Sequence, residues 1–374
     1  MKDPRIQILA RQAIRFTLDL QPGEKLLIDA YDGAEDFVLA LISEAYSVGA
    51  LPFVFLQNHQ INRALISNCT EGAMRLEYTF EVERMRSMDA YIAIRKQDNL
   101  SELSDVPRDR MDIYNRYYGL LHYGERLIHT KWCVLRYPNA SMAQAANMSL
   151  EAFEDFYFSA CCLDYAHLNR LARPLVELVR RTDQVKIKAP GTDITFSIKN
   201  MGPAEPICGK NNLPCGEVGF PVVPESVNGI IRYNIPSVFQ GILFRDICFR
   251  LEDGRIVEAS AAEDTQRLNR ILDTDENARR IGEFAMSFNP YITRPIMDTL
   301  FDEKMERSIH FTPGNSPVNP SKIHWDIVQS HAAERGGGEI WFDGVLVRKD
   351  GLFLDAAIKQ LNPQHLMDQL PHII

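Results

Sequence analysis

Near residue 183 the hydrophobic pattern of this 374-residue chain changes period, and that change constrains the architecture more than any other feature. Upstream, short apolar runs alternate with segments of helical spacing. Lys25-Leu26-Leu27-Ile28, Pro52-Phe53-Val54-Phe55-Leu56, Ala90-Tyr91-Ile92-Ala93-Ile94 and Trp132-Cys133-Val134-Leu135 read as buried strands. Between the first two, Glu35 to Gly49 sets Phe37, Leu41, Ile42 and Ala45 on one helix face, with Gly49 as the C-cap. Strand, helix, strand predicts a mostly parallel sheet. Leu150 to about Thr182 is helical, with Phe153, Phe156, Tyr157 and Ala160 as a core stripe.

Downstream the apolar residues alternate. Val185 to Lys188 and Ile194 to Ile198 read as strands joined through Pro190-Gly191-Thr192-Asp193. Asp253-Gly254, Asp343-Gly344 and Asp350-Gly351 mark further hairpins around type I′ turns. One helix, roughly Glu263 to Ile281, interrupts this mainly antiparallel half. The expected organisation is an α/β scaffold domain with a mostly parallel sheet over residues 1–182, then an α+β metal-binding domain over 183–374, consistent with about 150 residues per domain.

Several function classes are excluded. A net charge of −9 repels polyanions, and Arg180-Arg181 is too short to make a basic patch, so nucleic acid is not an expected partner. The loop Tyr31-Asp32-Gly33-Ala34 lies where parallel sheets bind ligands, yet no glycine-rich nucleotide motif accompanies it. No run of about 18 apolar residues occurs and the N-terminus has no signal-peptide pattern, which predicts no membrane partner. Seven cysteines without C-x-x-C spacing read as free thiols in a reducing cytoplasm.

Chemistry concentrates in the second half. In Lys322-Ile323-His324-Trp325-Asp326-Ile327-Val328, an apolar-flanked strand, His324 and Asp326 share one face, and imidazole with carboxylate suits zinc, manganese, iron or cobalt. A hydrogen-bonded His/Asp pair is the bland alternative. His310, in the apolar segment Ser308-Ile309-His310-Phe311, needs a partner and is the natural third ligand. Thr312 to Ser321 has the composition of a loop that returns the chain beside itself. Glu217, in Gly216-Glu217-Val218, and Glu283, in Gly282-Glu283-Phe284, are carboxylates in apolar surroundings, where desolvation favours a compensating cation. His331 reads as part of a polar loop leading into Gly336-Gly337-Gly338, and Tyr233 and Tyr291 as core aromatics.

Asn212-Leu213-Pro214 to Val218, Gly282-Glu283-Phe284, Ser308-Ile309-His310-Phe311 followed by Gly314-Asn315, and Ile323-His324-Trp325-Asp326 occur in one order. In these motifs, and over nearly its whole length, the chain resembles the thermophilic-type metallo-aminopeptidases, the family of aminopeptidases T and S. The resemblance implies that Glu217, Glu283, His310, His324 and Asp326 hold a co-catalytic pair of divalent ions, whether zinc, cobalt, manganese or magnesium. It makes Glu283 and Asp326 the bridging candidates, with Glu283 also catalytic, and implies a homodimer acting on short peptides. The family usually places a tyrosine seven residues after the histidine of the Gly-Asn segment, and position 317 here is proline.

Three readings follow. The first is a metal-dependent aminopeptidase releasing N-terminal residues from short peptides through a metal-bound hydroxide. The second keeps His310, His324 and Asp326 as an iron site for ring-opening oxygenation. The third is a catalytically impaired, peptide-binding homologue that lacks the tyrosine.

Overall fold

The protein is described here from a computed structural model covering residues 3–202 and 208–370. Two compact units form. Among the described residues the first runs to Cys162 and regains Gly209–Pro214; the second holds 163–202, Cys208 and 215–370. The helix Tyr165–Arg181 belongs to the second unit, its Leu168, Ala172, Leu175, Val176 and Val179 face buried. Among the described residues no helix is long and apolar enough to cross a membrane.

The first unit is α/β with a parallel sheet. Its strands lie in the order Leu51–Gln57, Lys25–Tyr31, Ala90–Arg95, Lys131–Arg136 and Asn211–Leu213, each pair parallel. The helix Glu35–Ser47 ends where expected, with Gly49 at φ +79°. Three of the four predicted strands have buried interiors, but Leu51–Gln57 does not. It is the sheet's edge, and Leu51, Phe53, Val54 and Leu56 are exposed. An apolar run records that a strand has something to cover, not that the same unit covers it.

The second unit is built from antiparallel sheets. One has eight strands: Arg255–Ser260, Cys248–Glu252, Asn228–Arg232, Thr192–Ser197, Gln184–Ala189, Glu339–Phe342, Val345–Lys349 and Leu352–Phe353, in spatial order. Three of its hairpins turn at the Asp-Gly pairs. Both residues of each pair have positive φ (Asp253 45° and Gly254 77°, Asp343 48° and Gly344 83°, Asp350 49° and Gly351 79°), as type I′ geometry requires. A second sheet orders Asn319–His324, Ser308–Ser316, Ile281–Ser287 and Glu217–Pro221, with Val328–Ser330 also on Ser308–Ser316, and Ser237–Phe239 with Ile242–Phe244 forms a separate two-stranded ribbon. Aromatic rings join the two sheets: Phe196 of the first lies 5.2 Å from Phe284 and 5.1 Å from Phe311.

Two segments depart from the sequence reading. The helix expected over Glu263 to Ile281 stops at Leu272, spanning Thr265–Leu272. Beyond it the side chains bond their own backbone, Thr274 Oγ1 donating to the Ile271 carbonyl at 2.7 Å and Asp275 Oδ1 accepting from the Asn277 amide at 3.0 Å, which competes with helical pairing. The expected loop over Thr312 to Ser321 is a hairpin in which Ser316 pairs with Asn319 and only Pro317 and Val318 turn. Proline suits that turn because it needs no ladder partner.

Candidate metal centre

Strand alternation sorts the smaller sheet into two faces. Phe220, Phe284 and Phe311 stand side by side in register and face the aromatic core. Their neighbours turn the other way: Gly219, Ala285 and His310 make one cross-strand row, Pro221, Glu283 and Thr312 the next, and Glu217 pairs with Ser287. The polar residues of this face therefore converge over small ones. A Cβ at Gly219 would stand 2.5 Å from Glu283 Oε1, so the glycine makes room for that carboxylate.

All five predicted site residues meet here. His310 Nδ1 lies 3.5 Å from Glu217 Oε2, and its Nε2 lies 3.7 Å from Glu283 Oε1 and 3.8 Å from Asp326 Oδ1. His324 Nε2 is 3.2 Å from Asp326 Oδ1, which also accepts from Thr312 Oγ1 at 2.7 Å. The strand ends at His324, so Asp326 lies past it rather than within it, yet both side chains still reach the same site. Trp325, between them, points away into the core with Nε1 donating to Ser237 Oγ at 2.8 Å.

Each imidazole is oriented by a backbone carbonyl. His324 Nδ1 is 2.8 Å from the Asn315 oxygen and His310 Nδ1 is 3.3 Å from the Glu303 oxygen. With those nitrogens as donors, each Nε2 is turned toward the carboxylates, protonated as the rings stand and a lone-pair donor once a divalent ion displaces its proton, the arrangement by which proteins aim metal-ligating histidines. Burial opposes charge on either ring, but the carboxylates outweigh it and hold both at about 10: Glu217, Glu283 and Asp326 around His310, Asp326 and Glu283 around His324. Reciprocally, burial pushes Glu283 and Asp326 up, while the imidazoles draw Glu283 below and Asp326 well below the usual carboxylate range.

Among the described residues no group of three or more His, Cys, Asp or Glu is spaced to hold an ion as it stands. The contacts of 3.2–3.8 Å are those of imidazole–carboxylate ion pairs. The chemistry of the donors nevertheless fits a divalent ion. Two aimed imidazole nitrogens and two carboxylates suit zinc, manganese, iron or cobalt, and Glu217 Oε2 is buried without a hydrogen-bond partner.

Two residues join the site that sequence reading missed. Glu303 and Lys304 are 5% and 2% exposed, and Lys304 Nζ bonds Glu217 Oε1 and lies 2.6 Å from Glu303 Oε1. Burial alone would lower the lysine, yet Glu217 and Glu303 raise it well above its usual value, keeping it an ammonium. The run Asp302-Glu303-Lys304 reads in sequence as a solvated charge cluster; only its setting between Leu300-Phe301 and Met305 hinted otherwise. His331 is also corrected. It lies in the loop after Val328–Ser330 but is fully buried, with Nε2 2.9 Å from Gln329 Oε1. Tyr233 and Tyr291 donate to the carbonyls of Phe311 and Leu370, at 2.8 and 2.9 Å, as core aromatics do.

The chain is similar to proteins of known family and fold. Aminopeptidase T of Thermus aquaticus is 29% identical over 341 residues, spanning 81% of this chain and 83% of that protein. The solved structure of wild-type AmpT from Thermus thermophilus matches with a TM-score of 0.78 at 24% identity, over 94% of this chain and 99% of that one. That of 2,5-dihydroxypyridine dioxygenase from Pseudomonas putida KT2440 shares the fold, with a TM-score of 0.58 at 10% identity over 96% and 99%. Residues 2–339 match the thermophilic metalloprotease (M29) family, a span that carries every residue of the cluster, and the chain belongs to that family.

Proposed function

We propose that the protein is a metal-dependent aminopeptidase that removes N-terminal residues from short peptides, with Glu283, His310, His324 and Asp326 holding the catalytic ion. The observation that carries this reading is the pair of imidazoles anchored at Nδ1 by the carbonyls of Glu303 and Asn315, with Nε2 of each toward a carboxylate. A divalent ion bound there supplies Lewis acidity, lowering the pKa of a water and polarising a carbonyl. The chain's own residues do the positioning. Thr312 holds Asp326 by its hydroxyl, Gly219 leaves space for Glu283, and the buried Phe284 and Phe311 behind the sheet keep both strands in register.

The relatives named aminopeptidases support the peptide substrate. A homodimer remains part of the proposal, since the edge strand Leu51–Gln57 exposes Phe53, Val54 and Leu56 for a second copy to cover. The decisive experiment is hydrolysis of leucine anilide before chelation, after it, and after metal return. Chelation is expected to remove activity by at least roughly 100-fold and metal to restore it. Hydrolysis indifferent to chelation, or none with any divalent ion, overturns the reading. His310→Ala and Asp326→Asn should each lower kcat/KM by roughly 10³-fold or more, because each removes a proposed ligand.

One observation favours a second reading. Lys304 engages Glu217, and within the remaining four residues His310, His324 and Asp326 are two imidazoles and a carboxylate, a set that also serves iron oxygenases. Oxygen consumption by the iron-loaded protein with a dihydroxylated aromatic ring, and no anilide hydrolysis, would establish that chemistry instead.

A further inference from the structure

Glu217 and Glu303 are both almost wholly buried, and buried carboxylates need a cation. The chain provides one of its own. Lys304 is 2% exposed, its ammonium bonds Glu217 Oε1, and it lies 2.6 Å from Glu303 Oε1. Its backbone is fixed at both polar groups: the amide donates to the Phe301 carbonyl at 2.9 Å, and the carbonyl accepts from the Asn289 amide at 3.1 Å. An ion taking Glu217 as ligand would have to sit beside this ammonium or drive it from a site with little access to water.

The cluster thus divides in two. On one side Glu283, His310, His324 and Asp326 are linked by imidazole–carboxylate contacts of 3.2–3.8 Å. On the other, Glu217 and Glu303 share Lys304, and His310 Nδ1 faces that side through Glu217 Oε2 at 3.5 Å and the Glu303 carbonyl at 3.3 Å. The first group has aimed nitrogen and oxygen donors. The second already has its positive charge.

We propose that the Lys304 ammonium stands in for the second metal ion of the family's site, so that this protein works with one divalent ion, held by Glu283, His310, His324 and Asp326. The inference rests on the metal-dependent reading above. A lysine cation is covalently tethered, and it donates three hydrogen bonds but accepts none. It balances Glu217 and Glu303 without ligating a substrate amine or activating a water, so metal chemistry falls to the single ion.

Metal stoichiometry tests this without recourse to activity. The full-length protein is stripped with chelator, loaded with Mn²⁺ or Zn²⁺, freed of excess, and counted by mass spectrometry, with electron paramagnetic resonance on the manganese form. The wild type is expected to hold one ion per chain with the six-line spectrum of isolated Mn²⁺. Lys304→Asn, which frees Glu217 and Glu303, should hold two with an exchange-coupled spectrum. Glu217→Gln keeps Lys304 and should still hold one, its affinity lowered by no more than roughly 10- to 100-fold, because Glu217 faces the ligand His310 without being a ligand itself.

Two ions in the wild type overturn the proposal and leave the metal-dependent reading intact. Loss of the ion in Glu217→Gln, or a folded Lys304→Asn protein that holds only one, overturns it as well. If Lys304→Asn does not fold, the wild-type count and Glu217→Gln still decide. A wild type that binds neither ion sinks the metal-dependent reading and this inference with it, which a count of two does not.

Discussion

Gly219 is a residue whose function lies in the side chain it lacks. It stands beside Ala285 in the cross-strand row under the site, where a Cβ would come within 2.5 Å of Glu283 Oε1 and 3.4 Å of the Ala285 Cβ. A methyl group there forces the Glu283 carboxylate to move. Gly219→Ala should therefore weaken metal binding by roughly 10- to 100-fold, the range seen when groups that orient ligands are disturbed. Competition against a chromogenic chelator measures it. Gly72→Ala is the control: nothing lies within 4 Å of a Cβ there, and metal affinity should not change. Equal affinities in all three proteins would show that Glu283 has freedom the packing does not suggest.

The element that delivers His324 and Asp326 is held by the residue between them. Trp325 is 1% exposed, stacks on Phe239 at 4.6 Å, tilts against Phe244 at 5.3 Å and donates to Ser237 Oγ at 2.8 Å. Trp325→Ala should cost about 3–5 kcal/mol by cavity formation and weaken metal binding through the loosened flanking residues. Trp325→Phe keeps most of the packing and loses chiefly the hydrogen bond, at about 1 kcal/mol. Urea unfolding with a metal titration on each variant checks both effects. Alternation made the shared face of His324 and Asp326 legible in the sequence, and the Asp-Gly pairs made the hairpins legible, because each is a local rule read over a few residues. What was not legible depended on distant neighbours. Asp302-Glu303-Lys304 has the composition of a surface run, and only tertiary packing brings Lys304 to Glu217, far back in the sequence. The edge position of Leu51–Gln57 escaped notice for the same reason, since burial belongs to the sheet rather than to the strand.

At the scale of the whole molecule, acid should act on each unit through a histidine kept neutral by burial. In the second unit, burial and then the Arg348 guanidinium hold His331 down at about 3. Its Nδ1 has no hydrogen-bond partner, so nothing compensates a charge there. In the first unit, burial and then Arg126 and Arg95 hold His122 down at about 4, in a partly exposed position where solvent softens the effect. The unfolded imidazole titrates near 6.5. Above that pH both states are neutral and neither histidine affects stability. As pH falls below it, the unfolded chain binds a proton that the folded unit refuses, so stability drops, for His331 by up to about 1.4 kcal/mol per pH unit until its folded pKa is reached. Replacing His331 with leucine removes that linkage while the site carboxylates and imidazoles, common to both proteins, cancel in the difference. Urea unfolding from about pH 7.5 to about 4.5 should then show the leucine variant gaining on the wild type at each acid step. The gap should be constant above about pH 7 and change steadily below about pH 6. A gap that stays constant over the whole range would mean that folded His331 takes up its proton as readily as the unfolded chain does, and that acid sensitivity arises elsewhere.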